Sequence, residues 1–251
     1  MDGAADGAMS GPPRFMITPE AIDGDRARIT GKELHHLRGV MRLAPGAEIV
    51  LMAADGTAYS ARLDRFDGGA AIATIINAVT RGRPRARIIL AAAIIKGPRM
   101  DIMVEKAVEL GATDLWPLIT ARGVVRSSSA DRLERWGRLA GAAIKQSRTA
   151  VPMVIAPPLT VAAMAAIVPI ETVAILCAQD GEPLARILRE RQPRSMVIAC
   201  GPEGDFDDGE RACMAAAGFA AASLGPNRLR SETAAIAALS IAAGALDESE
   251  R

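Results

Sequence analysis

Two regions of the chain differ in the spacing of their apolar residues. From residue 14 to about residue 80, short apolar runs at 48–52, 58–63 and 71–76 alternate with Pro-Gly and Asp-Gly turn signals. Such runs predict the strands of a small β-barrel or β-sandwich. Residues 32–43 break this rhythm, because Leu34, Leu37, Val40 and Met41 recur at helical spacing. We therefore expect a short basic helix within the β region.

After residue 87 the apolar runs become continuous and alternate with helical patterns. Residues 88–95 predict a strand, and residues 100–110 predict a helix that ends at Gly111. Further strands are expected at 115–119, 153–156, 172–177, 196–200 and 220–224. Continuous runs with helices between them favour an α/β fold with a parallel sheet covered on both faces. Ligands should then bind at the carboxyl ends of the strands.

These patterns suggest a division of the 251 residues, although the length does not exclude a single domain. We predict a disordered tail at 1–13, a β domain at 14–80, a linker at 81–87 and an α/β domain at 88–251. The linker holds the densest arginine run, which fits a solvated connection as well as an RNA contact.

Composition limits the classes of partner. Thirty Lys and Arg residues face 29 Asp and Glu residues, so a net charge of +1 predicts no overall attraction to nucleic acid, and any such contact must be local. Three cysteines without CxxC spacing and two adjacent histidines argue against a zinc site. No signal peptide or membrane-length apolar run is found, so we expect a cytoplasmic protein that binds neither metal nor membrane.

Two glycine-proline loops follow successive predicted strands and carry the chemistry. The first is Gly201-Pro202-Glu203-Gly204, after which Asp207 and Glu210 have the spacing of a capping box. The second starts at Leu224-Gly225-Pro226 and leads to a helix at Ser231. Neither GxGxxG nor GxxxxGK[ST] occurs, which weakens Rossmann and P-loop interpretations.

These loops resemble the motifs of the SPOUT methyltransferases, and among them the RsmE-type 16S rRNA uridine-N3 methyltransferases. The family's G-P-E-G is matched at 201–204, and its L-G-x-R-I-L-R-T-E-T-A is matched at 224–234. Residues 96–111, His36 and residues 40–43 agree more weakly, and the likeness covers nearly the whole chain. The chain departs from the family pattern at Asn227, with an arginine displaced to Arg228, and at Lys145, which replaces an acidic residue.

The resemblance implies a fold and a site. It implies a PUA-like β-barrel that binds RNA, followed by a trefoil-knotted α/β domain that uses S-adenosylmethionine (SAM) and packs as a homodimer. Arg230 would stabilise charge on the uracil carbonyl oxygens, and Glu232 would orient Arg230. The residues implied to hold SAM are Leu176, Gly201, Pro202, Glu203, Gly204, Leu224, Gly225, Pro226 and Leu229.

The expected substrate is a uridine of 16S rRNA within the small ribosomal subunit, and the sequence leaves open whether the enzyme acts on the assembled subunit or on naked RNA. Residues that could follow its phosphates are Arg14, Lys32, His36, Arg38 and Arg42; of these, Arg42 falls in the matching segment, whereas Lys32 and Arg38 fit a solvated helix face equally well. Two alternatives stay open at this point. One is methylation of another RNA, for example at a ribose 2'-OH, and the other is a non-catalytic RNA-binding assembly factor.

Overall fold

A computed structural model of the chain describes residues 12–53, 57–79, 86–125, 129–147 and 152–248. The chain divides into two compact units, Met1–Arg81 and Gly82–Arg251. Most of the predicted tail at 1–13, the turn at 55–56 and most of the predicted linker at 81–87 lie outside the described residues.

The first unit is built on a six-stranded mixed sheet. Its strands are β1 (Arg14–Ile17), β2 (Ile22–Asp23), β3 (Arg26–Ile29), β4 (Glu48–Ala53), β5 (Ala58–Asp67) and β6 (Ala70–Val79). Their order is β1-β4-β5-β6-β3-β2; β1 is parallel to β4 and the other neighbours are antiparallel. Alternate residues of the long strands point into one core, which includes Phe15, Leu37, Leu51 and Leu63, all fully buried.

The predicted helix of the first unit is present but ends earlier than expected. Helix α1 (Gly31–His35) continues as a π-helix over His36–Val40, and the Met41 amide donates to the carbonyl of His36 at 2.9 Å. Arg42 has a φ of 51°, a left-handed conformation that stops the helix before the predicted end at residue 43.

The second unit contains a seven-stranded sheet in which all pairs are parallel, as the sequence predicts. Its strands are β7 (Arg87–Ala93), β8 (Asp114–Ile119), β9 (Val154–Ile155), β10 (Leu159–Thr160), β11 (Val173–Pro183), β12 (Ser195–Cys200) and β13 (Ala220–Ser223). The order is β10-β8-β7-β12-β11-β13, and β9 pairs with β8. The α/β class is therefore confirmed, while the trefoil knot stays a prediction.

Within the described residues of the second unit, six helices accompany this sheet. They are α2 (Pro98–Glu109), α3 (Ala130–Ser147), α4 (Val161–Ile167), α5 (Leu184–Arg191), α6 (Asp208–Ala216) and α7 (Ser231–Glu248). Gly111, with a φ of 84°, follows the last residues of α2 as predicted, because a left-handed residue lets the chain leave the helix. The core on one side of the sheet includes Trp116, Leu118 and Phe206.

Strand β11 is longer than the predicted 172–177. Cys177 and Glu182 both pair with Ala222 of β13, so the intervening residues form an extra segment in the strand. Gly181 lies so close to β13 that an added Cβ would be 2.4 Å from the carbonyl carbon of Ala221. Sequence periodicity could not indicate this contact, because it depends on a strand that lies 40 residues further along the chain.

Candidate active site

A cavity of about 400 Å³ lies at the carboxyl ends of β12 and β13 and beside residues 177–179 of β11. Seven of the nine predicted cofactor residues line it: Gly201, Pro202, Glu203, Gly204, Leu224, Gly225 and Leu229. Pro226 is exposed and outside the lining, and Leu176 is buried in the core of the sheet, with only 6% of its surface exposed. In place of Leu176, the next three residues of β11 line the cavity: Cys177, Ala178 and Gln179.

A larger cavity of about 710 Å³ lies between α5 and the carboxyl-terminal half of α7. Its lining includes Leu188, Arg189, Ser240 and Ile241, and no residue of the two glycine loops. Size alone therefore does not identify the site, and the smaller cavity has the features expected of one: strand ends, glycine loops and a helix N-terminus.

The first glycine loop is fixed at its far end by the start of α6. The Asp207 side chain accepts from the Glu210 amide at 2.7 Å, and Glu210 accepts from the Asp207 amide at 3.0 Å, which is the predicted capping box. The other Glu210 carboxylate oxygen accepts from the Ala121 amide at 2.8 Å. The capping residues therefore also tie this loop to the segment after β8.

Arg122 belongs to that segment and was not among the residues predicted from the sequence. Its Nη1 atom donates to the carbonyl of Gly204 at 3.1 Å, and the carbonyl of Phe206 lies at 3.5 Å. A Cβ added at Gly204 would lie 3.3 Å from the Arg122 Cβ, so glycine allows this approach. The only sequence signal for Arg122 is its position just after the carboxyl end of a predicted strand.

The displaced arginine of the second loop also has a contact in the first. Arg228 Nη2 donates to the carbonyl of Glu203 at 3.0 Å, and both Asn227 and Arg228 line the cavity. The departure from the family pattern at 227–228 therefore places a guanidinium where it joins the two loops.

The two predicted catalytic residues are not paired with each other. The Arg230 side chain is exposed, lies outside the cavity lining and has no polar partner among the described residues. The Glu232 side chain is 12% exposed, and its Oε2 atom lies 3.8 Å from Arg99 Nη1. The cation closest to Glu232 among the recorded ion pairs of the described residues is thus Arg99, which the sequence analysis missed.

In the described part of the chain, three buried oxygen atoms without a hydrogen-bond partner lie just after β8 and in the first turn of α7. Within the described residues, the buried side-chain atoms without a hydrogen bond are Thr120 Oγ1, Ser231 Oγ and Glu232 Oε2. Ser231 is 5% exposed, is the first residue of α7 and lines the cavity. A buried hydroxyl without a partner in the protein is unfavourable, so it points to a ligand that supplies the missing hydrogen bond.

Two thiols also meet at the cavity. The Cys200 thiol donates to Cys177 Sγ at 3.5 Å, and both residues are free cysteines in the cavity lining. The hydrogen bond with Cys177, and then burial, raise the pKa of the Cys200 thiol well above its ordinary value. The Cys200 thiol therefore stays protonated and uncharged at physiological pH.

In the first unit, the predicted RNA-binding residues occupy β1 and the helical segment. Arg14 is half-buried in β1, and His36 packs edge-on against Phe15, with ring centroids 5.8 Å apart. The Arg38 guanidinium lies 5.3 Å from the centre of the Phe66 ring, which is a cation–π arrangement. Arg42 is exposed, and Lys32 is exposed at the start of α1. Their roles in RNA binding stay predictions.

Comparisons with family models and with known proteins point to the same family. A model of the RNA methyltransferase domain matches residues 82–243, and a model of the RNA methyltransferase PUA domain matches residues 29–76. Ribosomal RNA small subunit methyltransferase E of Synechocystis sp. is 32% identical over 231 residues, which cover 90% of this chain and 75% of that protein. Its Bacillus subtilis counterpart is 28% identical over 84% of this chain and 87% of its own length.

Solved structures agree with this grouping. The crystal structure of a ribosomal RNA small subunit methyltransferase E from Neisseria gonorrhoeae bound to SAM is 32% identical, with a TM-score of 0.82, and the match covers 91% of this chain and 95% of that one. A probable rRNA-methyltransferase from Porphyromonas gingivalis has a TM-score of 0.79 at 28% identity, over 95% of this chain and all of its own. This chain belongs to the ribosomal RNA small subunit methyltransferase E family of RNA methyltransferases.

Proposed function

We propose that this chain transfers the methyl group of SAM to N3 of a uridine in 16S rRNA. The observation that carries the proposal is the cavity beside β11 and at the ends of β12 and β13, because the two family motifs and the unpartnered Ser231 hydroxyl coincide there. Relatives of this chain are ribosomal RNA small subunit methyltransferases, and one of them was crystallised with SAM.

The cavity fits such a cofactor. Its volume of about 400 Å³ is within the range of small-molecule sites, and backbone of two glycine loops reaches it without side chains in the way. Leu224 and Leu229 offer apolar surface to an adenine ring, and backbone groups of residues 201–204 and 224–229 offer donors and acceptors to its edge. Ser231 Oγ supplies a hydrogen-bonding group that has no partner in the protein.

The proposed chemistry needs no side-chain nucleophile. SAM supplies an electrophilic methyl group on a sulfonium, so the chain has to orient the acceptor and remove its proton. Uracil N3 carries a hydrogen, and its loss leaves negative charge on N3 and the two flanking carbonyl oxygens. We assign stabilisation of this charge to Arg230, whose exposed guanidinium is next in sequence to two cavity-lining residues.

Arg230 is not the proton acceptor, because an arginine side chain stays protonated in proteins. Glu232, in the first turn of α7, is the nearest candidate in sequence for orienting Arg230, but its recorded ion-pair partner is Arg99. Contact between Glu232 and Arg230 would therefore require Arg230 to change its rotamer when RNA binds. Water is a sufficient proton acceptor in this scheme.

The first unit is proposed to hold the RNA. Arg14 lies on β1, and the other three candidates, His36, Arg38 and Arg42, lie within seven residues of one another in the segment 36–42. The proposed domain limits follow from the same division, with RNA binding in residues 14–80 and methyl transfer in residues 88–251. We also propose a homodimer, on the family resemblance alone.

Nucleoside mass spectrometry tests the reaction. Small-subunit rRNA from a strain that lacks this gene should have lost N3-methyluridine, and the wild-type gene should restore it. A gene carrying Arg230→Ala should not restore it, although the purified variant should bind SAM as wild type does in calorimetry. Retention of N3-methyluridine in the deletion strain would refute the assignment of uridine N3 as the methylated atom. Loss of a 2'-O-methylated nucleoside would favour the alternative reaction. Absence of SAM binding to the wild-type protein would favour a non-catalytic RNA-binding role.

No helix among the described residues is long and apolar enough to cross a membrane. No group of three or more His, Cys, Asp or Glu side chains in those residues could hold a metal ion.

A further inference from the structure

Arg99 occupies a position that its own helix disfavours. It is the second residue of α2, where the unpaired amides and the helix dipole carry partial positive charge. A cation in the first turn of a helix therefore requires stabilisation by groups outside the helix, and two carboxylates provide it. Arg99 Nη1 lies 2.7 Å from Glu203 Oε1 and 3.8 Å from Glu232 Oε2.

The two carboxylates belong to different parts of the cavity. Glu203 lies in the first glycine loop and lines the cavity, whereas Glu232 lies in α7, directly after the second loop. Both are acidic, and both lie within 4 Å of the same guanidinium nitrogen. Without a cation between them, the two negative charges would repel each other.

We propose that Arg99 is a positioning residue that holds the two glycine loops together through Glu203 and Glu232, and so presets the cavity for SAM. This inference rests on the proposed function for the identity of the ligand. Arg228 makes a second link between the loops, from its guanidinium to the Glu203 carbonyl. That link is to backbone, whereas the Arg99 link is between charges and connects a third element, α2, to both loops.

The burial of the three side chains indicates which part of the protein depends on the Arg99 contacts. The Arg99 and Glu203 side chains are 37% and 43% exposed, so their pairing by itself adds little stability to the fold. Glu232 is 12% exposed and its Oε2 atom has no hydrogen bond, so the field of Arg99 is the compensation that the structure offers for this buried oxygen. Loss of Arg99 should therefore disturb the start of α7 more than it disturbs the fold.

Hydrogen exchange on the protein without SAM tests the link directly. Arg99→Ala should raise amide exchange in residues 201–206 and 224–233, while exchange in the core strands stays unchanged. The matched control is Arg135→Ala. It removes another arginine–carboxylate pair that involves α2, the pair between Asp101 of α2 and Arg135 of α3. It should leave both loops unchanged. Unaltered exchange in the loops of Arg99→Ala would overturn the inference, whether or not SAM binds.

Calorimetry then tests the consequence for the ligand. We expect Arg99→Ala to weaken SAM binding about two- to fivefold, which corresponds to the upper part of the range for one partly exposed charge contact. Arg99→Lys, which keeps the charge, should lose less affinity, and this variant also serves if Arg99→Ala does not fold. Adding Glu232→Gln to Arg99→Ala should recover affinity, because it removes one of the two repelling charges.

Two results would count against the positioning role. The first is equal SAM affinity of wild type and Arg99→Ala. The second is additivity: the double variant would bind SAM more weakly than Arg99→Ala by the same factor by which Glu232→Gln alone weakens binding to the wild-type protein. In turnover assays the KM for SAM should rise while kcat at saturating SAM changes less than about twofold, as expected when a contact acts only on binding. A wild-type protein that does not bind SAM, but whose loops respond to Arg99→Ala, would refute the proposed function and leave the link intact.

Discussion

Replacement of Gly181 by alanine should damage both the stability of the second unit and its cavity. The added Cβ would lie 2.4 Å from the Ala221 carbonyl carbon, 2.4 Å from the Ala222 amide nitrogen and 2.5 Å from the Ala221 carbonyl oxygen. Non-bonded atoms prefer separations of about 3.5–4.0 Å, so these atoms must move apart by about 1 Å. All three are backbone atoms, so no side chain can rotate away.

The expected cost follows from where those atoms lie. Ala222 is fully buried in β13 and pairs with both Cys177 and Glu182 of β11, so a shift at Ala221–Ala222 strains this part of the sheet. Overpacking of this kind costs about 3 kcal/mol, at the upper end of the usual range because backbone must move. For a chain of this size that lowers Tm by about 6–12 °C.

The assay is thermal and urea unfolding of Gly181→Ala, measured beside a control variant that is expected to be more stable than wild type. Gly244 lies inside α7, and a Cβ added there would meet nothing within 4 Å. Gly244→Ala should therefore raise stability by about 0.5–1 kcal/mol through helix propensity. Because Ala178 and Gln179 line the cavity just before Gly181, Gly181→Ala should also weaken SAM binding. A Gly181→Ala protein as stable as wild type would show that the close approach of β11 and β13 is not a constraint.

Four further predictions concern the contacts that support the cavity and the fold. Cys177 should be alkylated by iodoacetamide faster than Cys200, whose thiol is buried and has a raised pKa, and SAM should protect Cys177; equal rates without SAM would contradict this. Since the raised pKa keeps the Cys200 thiol protonated in the folded state, its contribution is complete below the ordinary thiol value of 9.0, and stability measured by urea unfolding should fall as pH rises above that value. Asp207→Ala should cost about 1 kcal/mol through loss of the cap, measured by the same unfolding, with little effect expected if the capping box is dispensable. Arg87→Lys should cost about 1 kcal/mol, because lysine cannot reproduce the two hydrogen bonds of 2.6 and 3.0 Å to Asp114; an unchanged midpoint would remove this pair from the stabilising contacts.

The sequence by itself determined the elements and much of the cavity. Continuous apolar runs can only be buried on both faces of a sheet, so strands such as β7 and β12 and the parallel α/β class follow from local pattern. The capping box at Asp207 and Glu210 and the left-handed Gly111 are also local, since each depends on residues within one turn of a helix. The two glycine loops were recognisable because their motifs are contiguous.

The tertiary structure decided which side chains meet between elements distant in sequence. Leu176 is a core residue and not a cavity residue, because strand alternation and register decide which face a strand end presents. Arg99 contacts Glu203, which lies 104 residues further along the chain, and Arg122 contacts Gly204, which lies 82 residues further along. No local sequence pattern encodes contacts over such separations. Sequence therefore identified the loops at the cavity, whereas the charges that hold those loops could be found only after the chain had folded.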